Sequence, residues 1–286
     1  MSAHIADYEV TGTVPGDGTL PCLRARSPQR LGRADSAATV WVLGPVARTS
    51  WAAASARLTA AAAVRGPFLP EWLEAGVAEW AQRPVVWLSA GTRVSGSLAA
   101  APAATPVPER LRAVASAARA AHALHENGLL HGAICPHAVA FVESGSPDGS
   151  APAVLAPPAL ADGAHPLAQI GYPPISYVDP QLLRGQGGRW SDIWSLGATA
   201  RYAATGSSPF PGMEDLPVVR ALAQLLTSPA PVPVPASPAT EGAAAGPSLP
   251  EPLSALIDSC LSEDPEARPA TAGEVAERLE EAASKW

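Results

Sequence analysis

"LHENGLLHGAICPHAVAF", Leu124 to Phe141, closes a helix and opens a loop, and the contents of that loop decide how the whole chain is read. Upstream of it Leu111, Val114, Ala118, Ala121 and Leu124 recur near a period of 3.6, which predicts a helix from Glu109 onward. Asn127-Gly128 supplies a left-handed stop. Beyond Glu126 the stretch contains no carboxylate and no lysine. A long helix therefore delivers a well-framed loop that lacks the groups most reactions need.

The same region gathers His122, His125, His131, Cys135 and His137, residue types that either hold zinc or simply pack. Packing is the default for scattered histidines, and Cys135 reads as an inert thiol because no lysine lies near it in sequence. No metal or other cofactor is expected.

Outward from the loop, the chain alternates between two textures. Before it lie short β-like runs, "YEVTGTV", "LPCLRAR", "ATVWVLG" and "VVWLSAG", with one Ala-rich helical stretch, "SWAAASARLTAAAAV". After it the pattern is helical. "SDIWSLGATARYAATG" predicts a buried helix capped by Ser191 and ended by Gly206, and Thr271 with Glu274 forms a capping box for a last helix. These textures divide the chain into a β-rich lobe, residues 1–94, and a mainly helical lobe, residues 95–286, an α+β bilobal architecture. Residues 228–250, "SPAPVPVPASPATEGAAAGPSLP", are too rich in Pro and Ala to pack and predict an extended insertion; Pro235 to Pro238 is a PxxP match.

With 286 residues, 47% of them hydrophobic, the chain can bury a full core. Its net charge of −7 argues against nucleic acid or an anionic membrane surface as partner. Three widely spaced cysteines, Cys22, Cys135 and Cys260, do not form a disulfide framework. No run reaches the roughly 18 apolar residues that span a bilayer, and "MSAHIADYEV" lacks the basic and apolar regions of a leader. A reducing, cytoplasmic setting is the expectation. Of the 19 basic residues only Lys285 is a lysine. No chemistry that needs an internal lysine is open to this chain.

Four stretches in order resemble the eukaryotic-type protein kinase family, of which bacterial Ser/Thr kinases are members. They are "LHENGLLHGAICPHAV" for the catalytic loop, "YVDPQLLRG" for the close of the activation segment, "SDIWSLGATARYAATGSSPF" for the buried helix and "LSEDPEARPATAGEV" for the terminal signature. The first lobe matches through "VPGDGTLPCLRA" and "TVWVLGP". That family transfers phosphate with a lysine on the nucleotide held by a glutamate, metal held by Asp and Asn, and an Asp that orients the acceptor hydroxyl. By the resemblance Trp41 stands at the lysine, Ala133 at the catalytic Asp, Cys135 at the loop lysine, Ala138 at the metal-binding Asn and Pro157 at the metal-binding Asp. No acidic residue lies from Thr49 to Val64, where the glutamate belongs.

What the resemblance retains is structural. His131 holds the loop, Asp192 bonds the loop backbone, Trp194 and Gly197 are packing positions, and Arg268 is the arginine that pairs with a glutamate replaced here by Gln181, which leaves a neutral hydrogen bond at best. The resemblance implies a pseudokinase that acts as a scaffold or regulator by binding another protein, either an active Ser/Thr kinase or a phosphopeptide-reading protein. Two alternatives stay open: a nucleotide sensor that does not hydrolyse, and a kinase-fold enzyme with repurposed transfer chemistry. Trp41 either plugs the nucleotide cleft or, with a shifted register, packs under the sheet. Trp51, Phe68, Trp72 and Trp80 either form a partner-binding patch on the outer face of the first lobe or fill its core. Asp162-Gly163 is either a displaced metal site or a turn.

Overall fold

The computed structural model describes residues 4–16, 18–32, 36–44, 51–143, 153–158, 174–213, 215–227, 231 and 249–286. The Pro/Ala-rich stretch, apart from Pro231, Leu249 and Pro250, lies outside these residues, as do Asp162-Gly163 and the PxxP match.

The first lobe is a six-stranded antiparallel sheet with one helix. Its strands are β1 His4–Ile5, β2 Tyr8–Thr13, β3 Cys22–Arg26, β4 Ala37–Gly44, β5 Trp72–Trp80 and β6 Arg83–Ala90, in the order β1-β2-β3-β4-β6-β5. Helix α1, Trp51–Ala63, follows β4. Strict alternation sends Ala38, Val40 and Val42 of β4 to one face and Trp41 and Leu43 to the other. The first set joins Ile5, Tyr8, Val85 and Trp87 in a small core of its own. Arg30 fastens the seam of this sheet, donating to both oxygens of Asp7 (2.5 and 2.9 Å) and both of Glu74 (2.7 and 2.6 Å).

Strand β5 corrects an expectation. "FLPEWLEAG" holds none of the β-like runs that the sequence shows, yet its Trp72 opens a nine-residue strand paired with β6. The hairpin turns on Ala81 and Gln82, both with positive φ (48° and 61°). Such two-residue turns normally announce themselves with Asn-Gly or Asp-Gly, so this one has no sequence signature.

The second lobe opens with β7 Val94–Ser97, which pairs with β8 Val139–Val142, itself paired with β9 Ala153–Leu155. Its helices are α2 Val107–Glu126, α3 Pro180–Leu183, α4 Arg189–Thr205, α5 Val218–Thr227, α6 Glu251–Cys260 and α7 Ala272–Ser284. Gly128, at φ 70°, takes the chain out of α2 as its sequence position requires. Helix α4 begins earlier than expected, with Gly188 as its N-cap, so Ser191 lies within the first turn instead of capping it; Gly206 does end it, at φ 75°. Thr271 accepts from the Glu274 N–H at 3.1 Å, and Glu274 returns the bond to the N–H of Ala270, one residue before the cap.

One continuous core joins the lobes, running from Trp41, Leu58 and Leu88 through Val94 and Leu98 to Leu111, Ile134, Trp194 and Leu256. Among the described residues no helix is long and apolar enough to cross a membrane.

Candidate functional site

The cleft between the lobes is built from β4, the β2–β3 turn, β7 and the loop after α2. Trp41 sits on the face of β4 that points into the shared core, paired in register with Cys22 and Leu88. Its indole is 1% exposed and meets Trp72 edge to face, ring centres 5.5 Å apart. The side chain therefore points inward, to the face of the sheet that the first lobe shares with the second. Beside it, bounded by Val14, Leu20, Cys22, His137 and Ala140, remains a cavity of about 20 Å³. That is room for about one water, whereas sites for drug-sized ligands occupy roughly 300–1,000 Å³.

Nothing on α1 reaches toward Trp41 with a carboxylate, because the helix has none. Its Arg57 reaches the other way, Nη2 donating to the carbonyl oxygen of Leu130 at 2.5 Å and, more weakly, to that of His131 at 3.5 Å. Two further ties close the same side. The Leu155 N–H donates to the Phe68 carbonyl at 3.1 Å, and the Arg119 guanidinium lies 5.9 Å above the Phe68 ring.

The loop that opened the sequence analysis hangs on one carboxylate. Asp192, 2% exposed on α4, accepts from the His131 N–H (2.8 Å), the Gly132 N–H (2.8 Å) and His125 Nε2 (2.9 Å). Burial pushes its carboxyl up, but these donors outweigh burial and hold it below the usual range. His131 Nε2 donates to the Ala156 carbonyl at 2.8 Å, and its Nδ1 accepts from the Ala133 N–H at 3.3 Å. That pattern is a neutral imidazole. Full burial depresses its pKa to about 4, against the pull of Asp192.

Ala133, Cys135 and Ala138 are buried, with no more than 1% exposed, and serve as small packing groups in the shared core. Pro157 and Pro158 are buried after β9, while Ala159 lies outside the described residues. No group of three or more His, Cys, Asp or Glu among the described residues could hold a metal ion. Among the described residues that line this cavity there is no lysine, arginine or carboxylate, so they offer a magnesium-bound nucleoside triphosphate neither a cation for its phosphates nor a ligand for its metal.

Two expectations are corrected. Arg268 does form a full ion pair, though not at Gln181. Its Nη1 and Nη2 donate to Asp179 at 2.7 and 3.3 Å, both side chains almost wholly buried, while Nε and Nη1 also serve the Ser262 and Trp190 carbonyls. Gln181 instead donates to the Glu263 carbonyl at 3.0 Å. The missed signal was Asp179-Pro180, an N-cap followed by Pro at the first helical position. The aromatic patch is not one surface either. Trp72 is buried against Trp41, Trp51 and Phe68 are half-buried on the shared core, and Trp80 packs on the separate sheet core.

No family model and no curated sequence matches the chain. The crystal structure of the Mycobacterium tuberculosis PknI kinase domain superposes with a TM-score of 0.62 at 18% identity, covering 98% of this chain and 98% of that one. The fold is that of a protein kinase domain.

Proposed function

We propose that this kinase-fold chain transfers no phosphate and acts by binding another protein. Trp41 carries this reading, because it fills the floor of the cleft and leaves about 20 Å³ beside it. Ala133, Ala138 and Pro157 support it, being packing groups at positions where the resemblance places proton-orienting and metal-binding side chains. Arg57 adds that α1 is tied to the loop without a lysine–glutamate pair. Residues that hold the fold are kept while those that would hold a nucleotide are replaced, a pattern suited to a regulator or scaffold. An active Ser/Thr kinase or a phosphopeptide-reading protein is the proposed class of partner, in a bacterial cytoplasm.

The test is incubation of the purified chain with labelled Mg-ATP and a generic basic protein, alongside melting with and without millimolar Mg-ATP. No transfer and no shift in melting temperature are expected. A rise of several degrees would mean that the native state binds nucleotide and would replace this proposal with the nucleotide sensor. Transfer abolished by a substitution in the cleft would make the chain an enzyme.

A further inference from the structure

A groove of about 590 Å³ lies on the back of the helical lobe, far from Trp41 in the fold, between the N-terminus of α4, α3 and the segment joining α6 to α7. Its volume falls in the range of true ligand sites. Trp190 forms its most prominent wall, 37% exposed and one of few large apolar side chains so exposed among the described residues. The indole is held in place. It lies so close over Gly188 that a Cβ there would stand 2.5 Å from ring atom Cζ2, and the Trp190 carbonyl is pinned by buried Arg268.

Around the indole the lining carries hydrogen-bond donors: the amide of Gln186, the guanidinium of Arg189, which makes no hydrogen bond or ion pair with the described residues, and the amide of Gln181, which already donates one bond to the Glu263 carbonyl and keeps a second N–H. Pro265 and Pro269 supply the apolar remainder. Glu266 is the single carboxylate in the lining and offsets the charge of Arg189, so donor pattern rather than net charge sets the choice of ligand. A fixed aromatic shelf edged by donors suits a segment that offers flat apolar rings and unpaired carbonyls. Polyproline II segments do so, since their backbone makes no internal hydrogen bonds and their prolines contribute acceptors alone.

We infer that this groove binds an extended proline-rich segment of a partner protein, its rings on Trp190 and its carbonyls on Arg189 and the glutamine amides. The inference deepens the protein-binding function proposed above and names a surface for it.

The experiment is fluorescence anisotropy with three labelled peptides of equal length: decaproline, an alternating Gly-Ser peptide, and one with this chain's own sequence from residue 231 to residue 240. Decaproline is expected to bind saturably and at least tenfold more tightly than Gly-Ser. Trp190→Ala should abolish binding, Gly188→Ala should weaken it by displacing the indole without removing a lining group, and Arg189→Met should weaken it by removing donors. All three variants alter an exposed or near-surface position, and urea unfolding checks that each still folds. Equal binding of the Gly-Ser peptide, or undiminished binding by folded Trp190→Ala, would overturn the site. Preferential binding of the chain's own sequence would overturn the partner as occupant. The phosphate-transfer assay is read independently: transfer would sink the inactive-fold reading and leave the groove standing, while failure of the peptides would sink the groove alone.

Discussion

Arg57 of the first lobe donates a hydrogen bond to the backbone carbonyl of Leu130 in the second, 2.5 Å away, across the cleft that separates them. A guanidinium from the strand-rich lobe thereby fixes the base of the loop that Asp192 holds from below. The two lobes are joined at this point by a charged donor on a half-buried carbonyl, a bond stronger than most neutral ones.

Removing that donor should therefore loosen the lobes before it touches anything else. Arg57→Ala is expected to cost about 1–3 kcal/mol, measured by urea unfolding, with Arg57→Lys retaining part of it because one ammonium can still reach one carbonyl. An Arg57→Ala protein with the parent's midpoint would mean that the tie carries no free energy.

Asp192 is a larger investment of structure. Asp192→Ala leaves without this acceptor the buried N–H of His131, the half-buried N–H of Gly132 and the ring of His125. At about 1–3 kcal/mol for each buried group left unpaired, the loss is comparable to a domain's whole net stability, so the expected outcome is a protein that fails to fold or melts far lower. Asp192→Asn, which keeps an acceptor oxygen, should fall between. A melting temperature unchanged in Asp192→Ala would contradict the geometry.

Gly197 of α4 lies against Cys260 of α6, where an added Cβ would come 2.3 Å from the cysteine Cβ. Gly197→Ala must push two helices apart, because the obstructing atom belongs to a short side chain close to the backbone. A loss of about 1–3 kcal/mol is expected from this overpacking, read by denaturant titration. Replacing Cys260 by Ala in the same chain leaves that Cβ in place and should not relieve the collision, whereas Cys260→Gly should.

Acid should destabilise the fold through His131. Unfolded, its imidazole takes a proton near its ordinary pKa of 6.5; folded, it stays neutral down to about 4 because it is buried. Between those values the unfolded chain binds more protons, so stability is fully present above about pH 6.5 and drains away as pH falls toward 4, by about 3 kcal/mol from this group. Urea midpoints taken at pH 7, 5.5 and 4.5 should fall in that order. A flat profile over this window would show that His131 is not the neutral, buried group seen here.

The sequence alone determined the two-lobe plan, because its evidence is local. Periodicity placed α2, Gly128 and Gly206 ended helices where only a left-handed residue closes the turn, and Thr271 with Glu274 capped α7 across three residues. The lack of lysine and carboxylate from Asn127 to Phe141 was legible as well, since it is read from residue identity alone. What tertiary structure decided was every relation between distant residues. Asp179, and not Gln181, meets Arg268, because pairing depends on which carboxylate the start of α3 aims inward. Trp72 became an inner neighbour of Trp41, because a hairpin without a recognisable turn sequence pairs β5 with β6. Arg57 found Leu130, 73 positions away, only because the packed core brings α1 against the loop. Such contacts depend on how the elements stack, and no pattern along the chain encodes the distance between two side chains before the core has closed.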